Sequence, residues 1–473
     1  MAFSGRPIWE VRTTGSDTNG GAFINGAAGS DYSQQNSPQY SGTDLEVNAS
    51  NNLQVKSTTA GSPIAADVGN LIMISNGLSW TFGWYEIVSQ DGTWWTLDRS
   101  PGSAGITGGH FAVGGALASP GVAVAVGQAY YTGNNLRSIV YIQSGTYAIT
   151  NNTTATPVPA SGCYIKNARN SNIFGYDTAN GRGSKPNTYP ILQSQSSYTG
   201  NVYHANYHSN ASYNAGKIAW LELDGNGLPG SGTAVCYAPS EAWECIIKGA
   251  KGGACAQAGE YWHCIIDATG MNPYQAALTG MGYYCYINSG SYRAYGINGG
   301  GAFHSVVRGG TSSYPVVRIN RHGRLVGCRV YSISSGSAPI HPPTQHQTIM
   351  NNIFVGGVGT PNLFSGTPSG SWFGTIFRGN YFYNCNNQGL SGLIPGYVVA
   401  EEAVALSQDP FVDAANGDFT LDSSGADYTS VLSANDSELM VTNTTLGPRV
   451  SAFTENVGGG STVQTVASIE RLK

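Results

Sequence analysis

The chain has 473 residues and a net charge of −5, and only 10% of it is charged, against roughly 25% in ordinary soluble domains. Its 28 Tyr, 14 Phe and 9 Trp give it ample surface to bury, which excludes disorder. Its polarity comes mostly from Ser, Thr, Asn and 65 Gly rather than from helix-surface residues, which argues against a helical bundle. No basic stripe offers replacement counterions to a nucleic acid. What remains is an all-β protein with many turns.

Taken in chain order, the opening MAFSGRPIWEVRTTG has no apolar core of a secretory signal, so a product made in a cytoplasm is expected. The longest apolar run, Pro120 to Val126, is far short of the roughly 18 residues of a membrane span, and no membrane partner is expected. The Asn-x-Ser/Thr sequons at Asn48, Asn152, Asn210, Asn435 and Asn443 read as chance in a chain of this composition. Phe82–Val88 and Trp94–Leu97 around Gln90-Asp-Gly92 predict two strands joined at an Asp-Gly turn. The turn-rich run Gly102 to Gly115 follows.

From about residue 119 a repeat takes over. Ser138–Ile142, the turn Gly145–Tyr147, Cys163–Lys166 and Ile218–Leu223 are its early members. It is clearest in Trp243-Glu-Cys-Ile-Ile247, Trp262-His-Cys-Ile-Ile266 and Tyr283-Tyr-Cys-Tyr-Ile287, which share aromatic-x-Cys-apolar-Ile. His304–Arg308, Val326–Val330, Asn352–Val355 and Asn380–Tyr383 continue it, with the period drifting from about 20 to 28. Short β units at this spacing predict a β-solenoid. In one, Cys245, Cys264 and Cys285 stack inward as small apolar side chains; a chain of disulfides is the alternative, disfavoured by its geometry and by a cytoplasmic origin. Between Ser194 and Tyr213 the repeat is diluted, and an insertion loop is expected there. No CxxC pairing, HExxH, GxxxxGK[ST] or GxSxG occurs, so neither a metal nor a cofactor is expected.

Three regions follow: a β-rich stretch over 1–118 that could anchor to a particle, a parallel β-helix over 119–400, and a cap and tail over 401–473. The tail residues Val463, Val466, Ile469 and Leu472 fit either a helical or an extended segment.

Trp9-Glu-Val-Arg-Thr-Thr-Gly-Ser-Asp-Thr-Asn-Gly-Gly21 resembles the start of pectate-lyase-like, right-handed parallel β-helix proteins of tailed bacteriophages. Asp67–Leu71 through Thr96–Arg99, and Asp409-Pro-Phe-Val412 with Ala415–Phe419, resemble the same group. The likeness covers both ends and the rhythm of the middle. It implies a right-handed single-stranded β-helix in a virion protein, often a homotrimer, serving as spike, fibre or capsid decoration. Other virion proteins, and possible host-surface polysaccharide, are the implied partners.

The fold alone does not make an enzyme. The Asp cluster and basic residue of lyase chemistry have no counterpart here. Glycoside hydrolysis needs two carboxylates, and Glu244, His263 and Asp267 are candidates for a tailspike depolymerase. Trp262 and Tyr284 are candidates for sugar stacking. Against these stands the plainer expectation that Glu and His beside the Cys positions point outward as solvated surface. His341 and His346 share a loop, a pair that is more often solvated than metal-bound.

Overall fold

The computed structural model describes residues 3–129 and 138–149, the stretches 165–166, 171–195, 200–204 and 216–228, and most of 234–431. It is mostly β, with long parallel sheets. The described residues divide into two compact units, one within 1–197 and 203–221, the other within 198–202 and 222–449.

In the first unit, six strands close an antiparallel barrel in the order Tyr40–Asn48, Asn51–Lys56, Trp95–Leu97, Gly83–Gln90, Leu71–Asn76 and Gly109–Val113. The Asp-Gly turn joins Gly83–Gln90 to Trp95–Leu97, with Asp91 Oδ1 accepting from the backbone of Thr93 and Trp94. The sequence shows these two strands and conceals the other four. Alternate residues of the barrel strands point inward and form its core, including Leu45, Val47, Val55, Ile72, Ile74, Tyr85, Ile87 and Trp95.

Outside the barrel, Pro7–Val11 pairs in parallel with Ser138–Gln143, which pairs with Ser171–Tyr176 and then Lys217–Ala219. The apolar run at Pro120 is a helix, Pro120–Ala129. Glu10, fully buried, ties this unit together. Arg182 Nε approaches its carboxylate at 2.7 Å and Arg12 Nε at 2.8 Å, and the Tyr176 hydroxyl donates to it as well. Arg182 also reaches Asp31 at 2.7 Å and the Ser33 hydroxyl at 3.1 Å. A buried carboxylate is tolerated only with such partners.

In the second unit, each repeat contributes successive strands to parallel sheets. The first sheet runs Glu241–Trp243, Glu260–Trp262, Met281–Tyr283, Gly301–Phe303, Arg324–Val326, Thr348–Met350 and Thr375–Arg378. Its register advances 19, 21, 20, 23, 24 and 28 residues (Glu241, Glu260, Met281, Gly301, Arg324, Thr348, Ile376). That is the drift read from the sequence. The second sheet takes Ile246–Ala250, Ile265–Asp267, Tyr286–Asn288, Val306–Gly309, Arg329–Ser332, Ile353–Val355 and Tyr381–Tyr383. The third takes Cys236–Tyr237, Ala256–Gln257, Ala276–Leu278, Tyr295–Asn298 and Val317–Arg318.

Strand alternation sends one residue of each short strand inward. Ala242, Tyr261, Ala302, Leu325, Ile349 and Phe377 fill the interior from the first sheet, and Ile247, Ile266, Ile287, Val307, Val330 and Phe354 from the second. The Asp409-Pro-Phe-Val412 region and Asp418–Leu421 form an antiparallel hairpin. Its Phe411, Phe419 and Leu421 pack with Tyr286, Val306, Tyr331, Ile353 and Tyr381, so this part of the chain covers the outer side of the second sheet. The tail residues Val463, Val466, Ile469 and Leu472 lie outside the described residues, as do Cys163 and most of Ser194 to Tyr213.

Candidate binding face

Between the first and second sheets every repeat turns a two-residue corner. Its first residue has a positive φ: Glu244 (50°), His263 (53°), Tyr284 (55°), His304 (47°), Gly327 (63°), Asn351 (54°) and Gly379 (60°). That conformation is unfavourable for most side chains. It is held by the next repeat, because the backbone N–H of Glu244 donates to Trp262 O, that of His263 to Tyr283 O and that of Tyr284 to Phe303 O, each at 2.9 Å.

The second corner residue points inward. Cys245, Cys264 and Cys285 are buried with free thiols, so the inward ladder is present and disulfides are not. The same column continues as Ser305, Cys328, Asn352 and Asn380, all buried. Its polar members close hydrogen bonds between repeats. Ser305 Oγ accepts from the Cys285 N–H at 3.0 Å, Asn352 Oδ1 from the Cys328 N–H at 2.8 Å, and Asn380 Oδ1 from the Asn352 N–H at 3.0 Å. Burial pushes the Cys264 thiol well up, reinforced by the neighbouring thiols of Cys245 and Cys285. The Cys328 thiol is pushed up to about 12, again by burial. Uncharged, unreactive sulfur is what a packed interior requires.

The outer side of the first sheet carries a second column. Trp243 stacks on Trp262 with ring centroids 5.0 Å apart, Trp262 on Tyr283 at 4.0 Å, and Tyr283 on Phe303 at 5.2 Å, all within 9° of parallel. Beside it, at the corner, His263 stacks on Tyr284 at 5.1 Å and Tyr284 on His304 at 5.2 Å. Parallel strands in register place like positions one above another, and flat rings fill that spacing.

Four of the candidate residues therefore meet at one edge: Glu244, His263 and Tyr284 in the corner column and Trp262 alongside. Asp267 does not join them. It sits on the second sheet, four residues beyond His263, in register with Lys248 and Asn288. Its Oδ1 accepts from the Thr269 N–H at 3.0 Å, the Thr269 hydroxyl at 2.6 Å and Asn288 Nδ2 at 3.2 Å. Lys248 pairs with Glu222 at 2.7 Å, a hydrogen bond that raises its pKa.

Glu244 departs from the expectation of a solvated carboxylate: it is only 2% exposed. His263 and Tyr284, which share its corner φ, are only half-buried. Sugar recognition by Trp262 and Tyr284 would use a ring face. Here the faces of Trp262 lie against Trp243 and Tyr283, and those of Tyr284 against His263 and His304, so both rings present edges. His346 stacks on His322 with centroids 5.3 Å apart, and both are exposed. Among the described residues, no group of three or more His, Cys, Asp or Glu side chains is placed to hold a metal ion.

Sequence reasoning missed the extension of this face through Phe303, His304, Val326 and Met350, and the charged residue Arg324 beside it. The signal was present as the residue two before each inward Cys, Ser or Asn, but residue type changes along that column and hides it. The Tyr283 phenol is raised by burial and then by Glu260, with Arg324 acting in the opposite direction.

No family model matches the chain, and no curated protein matches it. A solved structure, Geobacillus virus E2 - ORF18, is similar at 13% identity with a TM-score of 0.28. The match spans about half of each protein, 54% of this chain and 47% of that one. No helix among the described residues is long and apolar enough to cross a membrane.

Proposed function

We propose that the chain is a structural protein of a tailed-bacteriophage particle, built on a right-handed parallel β-helix and serving host-surface adsorption or particle stability. The observation that carries this reading is the pair of in-register columns in the second unit. The interior Cys–Ser–Asn column and the stacked aromatic column join each repeat to the next by backbone hydrogen bonds, side-chain hydrogen bonds and ring contacts. Such an arrangement resists local opening, which suits a protein that works outside the cell on a particle. The low charge density agrees with close packing against neighbours, where an unpaired buried charge is costly. By fold-level analogy, the barrel-bearing region within 1–118 is the particle anchor.

The depolymerase reading draws less support from the geometry. Glu244 is buried at a corner, and Asp267 lies on another sheet with its Oδ1 already accepting three hydrogen bonds.

The test is gold labelling of density-purified particles with antibody raised against the isolated chain, with oligosaccharide release from host polysaccharide measured alongside. Label at a fixed place on the particles without sugar release is expected. Particles free of the chain would overturn the virion reading, and catalytic release of oligosaccharides would overturn the structural one.

A further inference from the structure

We propose that the outer face of the first sheet is a self-association surface, on which a second copy of this chain docks antiparallel across a two-fold axis. That axis would run along the strand direction, between Met281–Tyr283 and Gly301–Phe303. The proposal does not depend on where the protein resides.

The face is apolar and accessible. Trp262, Tyr283, Phe303, Val326 and Met350 are each only partly buried and form one continuous strip over five repeats. At about 4.8 Å per strand the strip is roughly 19 Å from end to end. Contiguous exposed apolar surface of this kind marks an interaction site. Short corners border the face over its first three repeats, Ala258-Gly259, Thr279-Gly280 and Gly299-Gly300 on one side, with the positive-φ corners on the other. The second sheet offers a contrast, since its outer aromatic residues are covered by the hairpin of Phe411 and Phe419.

Charge order identifies the occupant. In the outer column that leads each strand, successive repeats carry Glu241, Glu260, Met281, Gly301, Arg324 and Thr348. Glu260 and Arg324 are exposed, and neither has an ion-pair or hydrogen-bond partner among the described residues. They stand one repeat outside Met281 and Gly301, symmetrically about the midpoint between those two. A two-fold axis along the strands reverses the order of repeats while keeping each column opposite itself. It sets Glu260 of each copy against Arg324 of the other, twice per dimer. It also sets Tyr283 opposite Phe303. Trp243 to Met350, the six apolar positions of the neighbouring column, share the same midpoint. One axis thus satisfies the charges and the apolar strip together. A parallel arrangement about an axis along the stack would leave Glu260 without a cation of its own column.

The test uses the full chain in sedimentation equilibrium with three variants: Glu260→Arg, Arg324→Glu, and the two combined. Both positions are exposed, so folding should survive, which circular dichroism checks. The parent chain is expected to dimerise. Each single variant should weaken self-association about tenfold or more, because like charges then meet twice. The double variant should recover it, and an equimolar mixture of the two single variants should associate better than either alone. A monomeric parent, a trimer unaffected by these changes, or single variants that dimerise like the parent would each overturn the proposal. Weakening in the singles without recovery in the double or the mixture would also reject the antiparallel axis.

Discussion

Replacing Asn352 by Ala removes the polar link between three consecutive repeats. Asn352 is fully buried. Its Oδ1 accepts from the Cys328 N–H at 2.8 Å, and its Nδ2 donates to Leu325 O at 2.9 Å and to Asn380 Oδ1 at 3.0 Å. Alanine leaves the Cys328 N–H orphaned, at about 1–3 kcal/mol, and removes two further bonds worth about 0.5–1.5 kcal/mol each. The Asn352 backbone N–H still donates to Asn380, and the lost terms sum to about 2–6 kcal/mol. In hydrogen exchange that corresponds to a loss of protection at the Cys328 amide of roughly thirtyfold or more. Asn352→Ser should cost less, because Ser305 already fills this position one way: its hydroxyl accepts from Cys285 and donates to Phe303 O at 2.8 Å. Mass-spectrometric exchange on peptides spanning 326–330, paired with guanidinium denaturation, measures both effects. An Ala variant within about 0.5 kcal/mol of the parent, or a Ser variant no better than Ala, would refute the reasoning.

Four other changes probe separate parts of the molecule. Gly301→Ala should prevent the repeats from closing, since a Cβ there would lie 2.0 Å from Arg324 O; the expected loss is about 3 kcal/mol or more in thermal unfolding. Trp262→Ala removes two ring stacks at about 0.5–1.5 kcal/mol each besides its buried area, and should lower the denaturation midpoint while leaving the barrel's Trp84 and Trp95 fluorescence unchanged. Arg182→Ala removes one of two guanidinium partners of buried Glu10 and should cost up to about 3 kcal/mol, with Arg182→Lys rescuing little because three separate contacts are lost. Asp44 tests pH dependence: burial raises its pKa, but hydrogen bonds from Ser57, Thr58 and Thr59 outweigh this and hold it below the ordinary 3.8. Its contribution is present above that value and disappears as pH falls through the lower folded value. Asp44→Asn should therefore lower the melting temperature at pH 7, with the gap to the parent narrowing in strong acid.

Much of the second unit was legible because its physics is periodic. An inward Cys followed by apolar-Ile recurs at Cys245, Cys264 and Cys285, where a corner leads into a buried strand, and the drift in period survives as the register of the sheets. The column became illegible where Ser305, Asn352 and Asn380 replaced Cys, because a buried Asn looks polar in sequence and becomes interior only once its hydrogen bonds to neighbouring repeats exist. Glu244 misled for a related reason. Alternation predicts an outward, solvated side chain, but Glu244 is buried at its corner. The barrel was the least legible part. Gly83–Gln90 and Trp95–Leu97 are a local hairpin, whereas Tyr40–Asn48 against Gly109–Val113 is a pairing of distant segments, which no local pattern announces. Of the candidate residues, Glu244, His263, Tyr284 and Trp262 were found together because they flank the Cys motif. Glu260 stands near them in sequence, but its relation to Arg324 escaped notice because it depends on register across three repeats.

The central claim is that successive repeats in the second unit are locked in parallel register through their corners. Amide exchange resolved to single residues tests it directly. The N–H groups of Ile265, Tyr286, Val306, Arg329 and Ile353 donate to Cys245, Cys264, Cys285, Ser305 and Cys328 O at 2.9–3.0 Å, and they should be the slowest-exchanging amides of the unit. If these five exchange as fast as the exposed turn at Asp91 to Thr93, the repeats are not stacked in this way and the account fails.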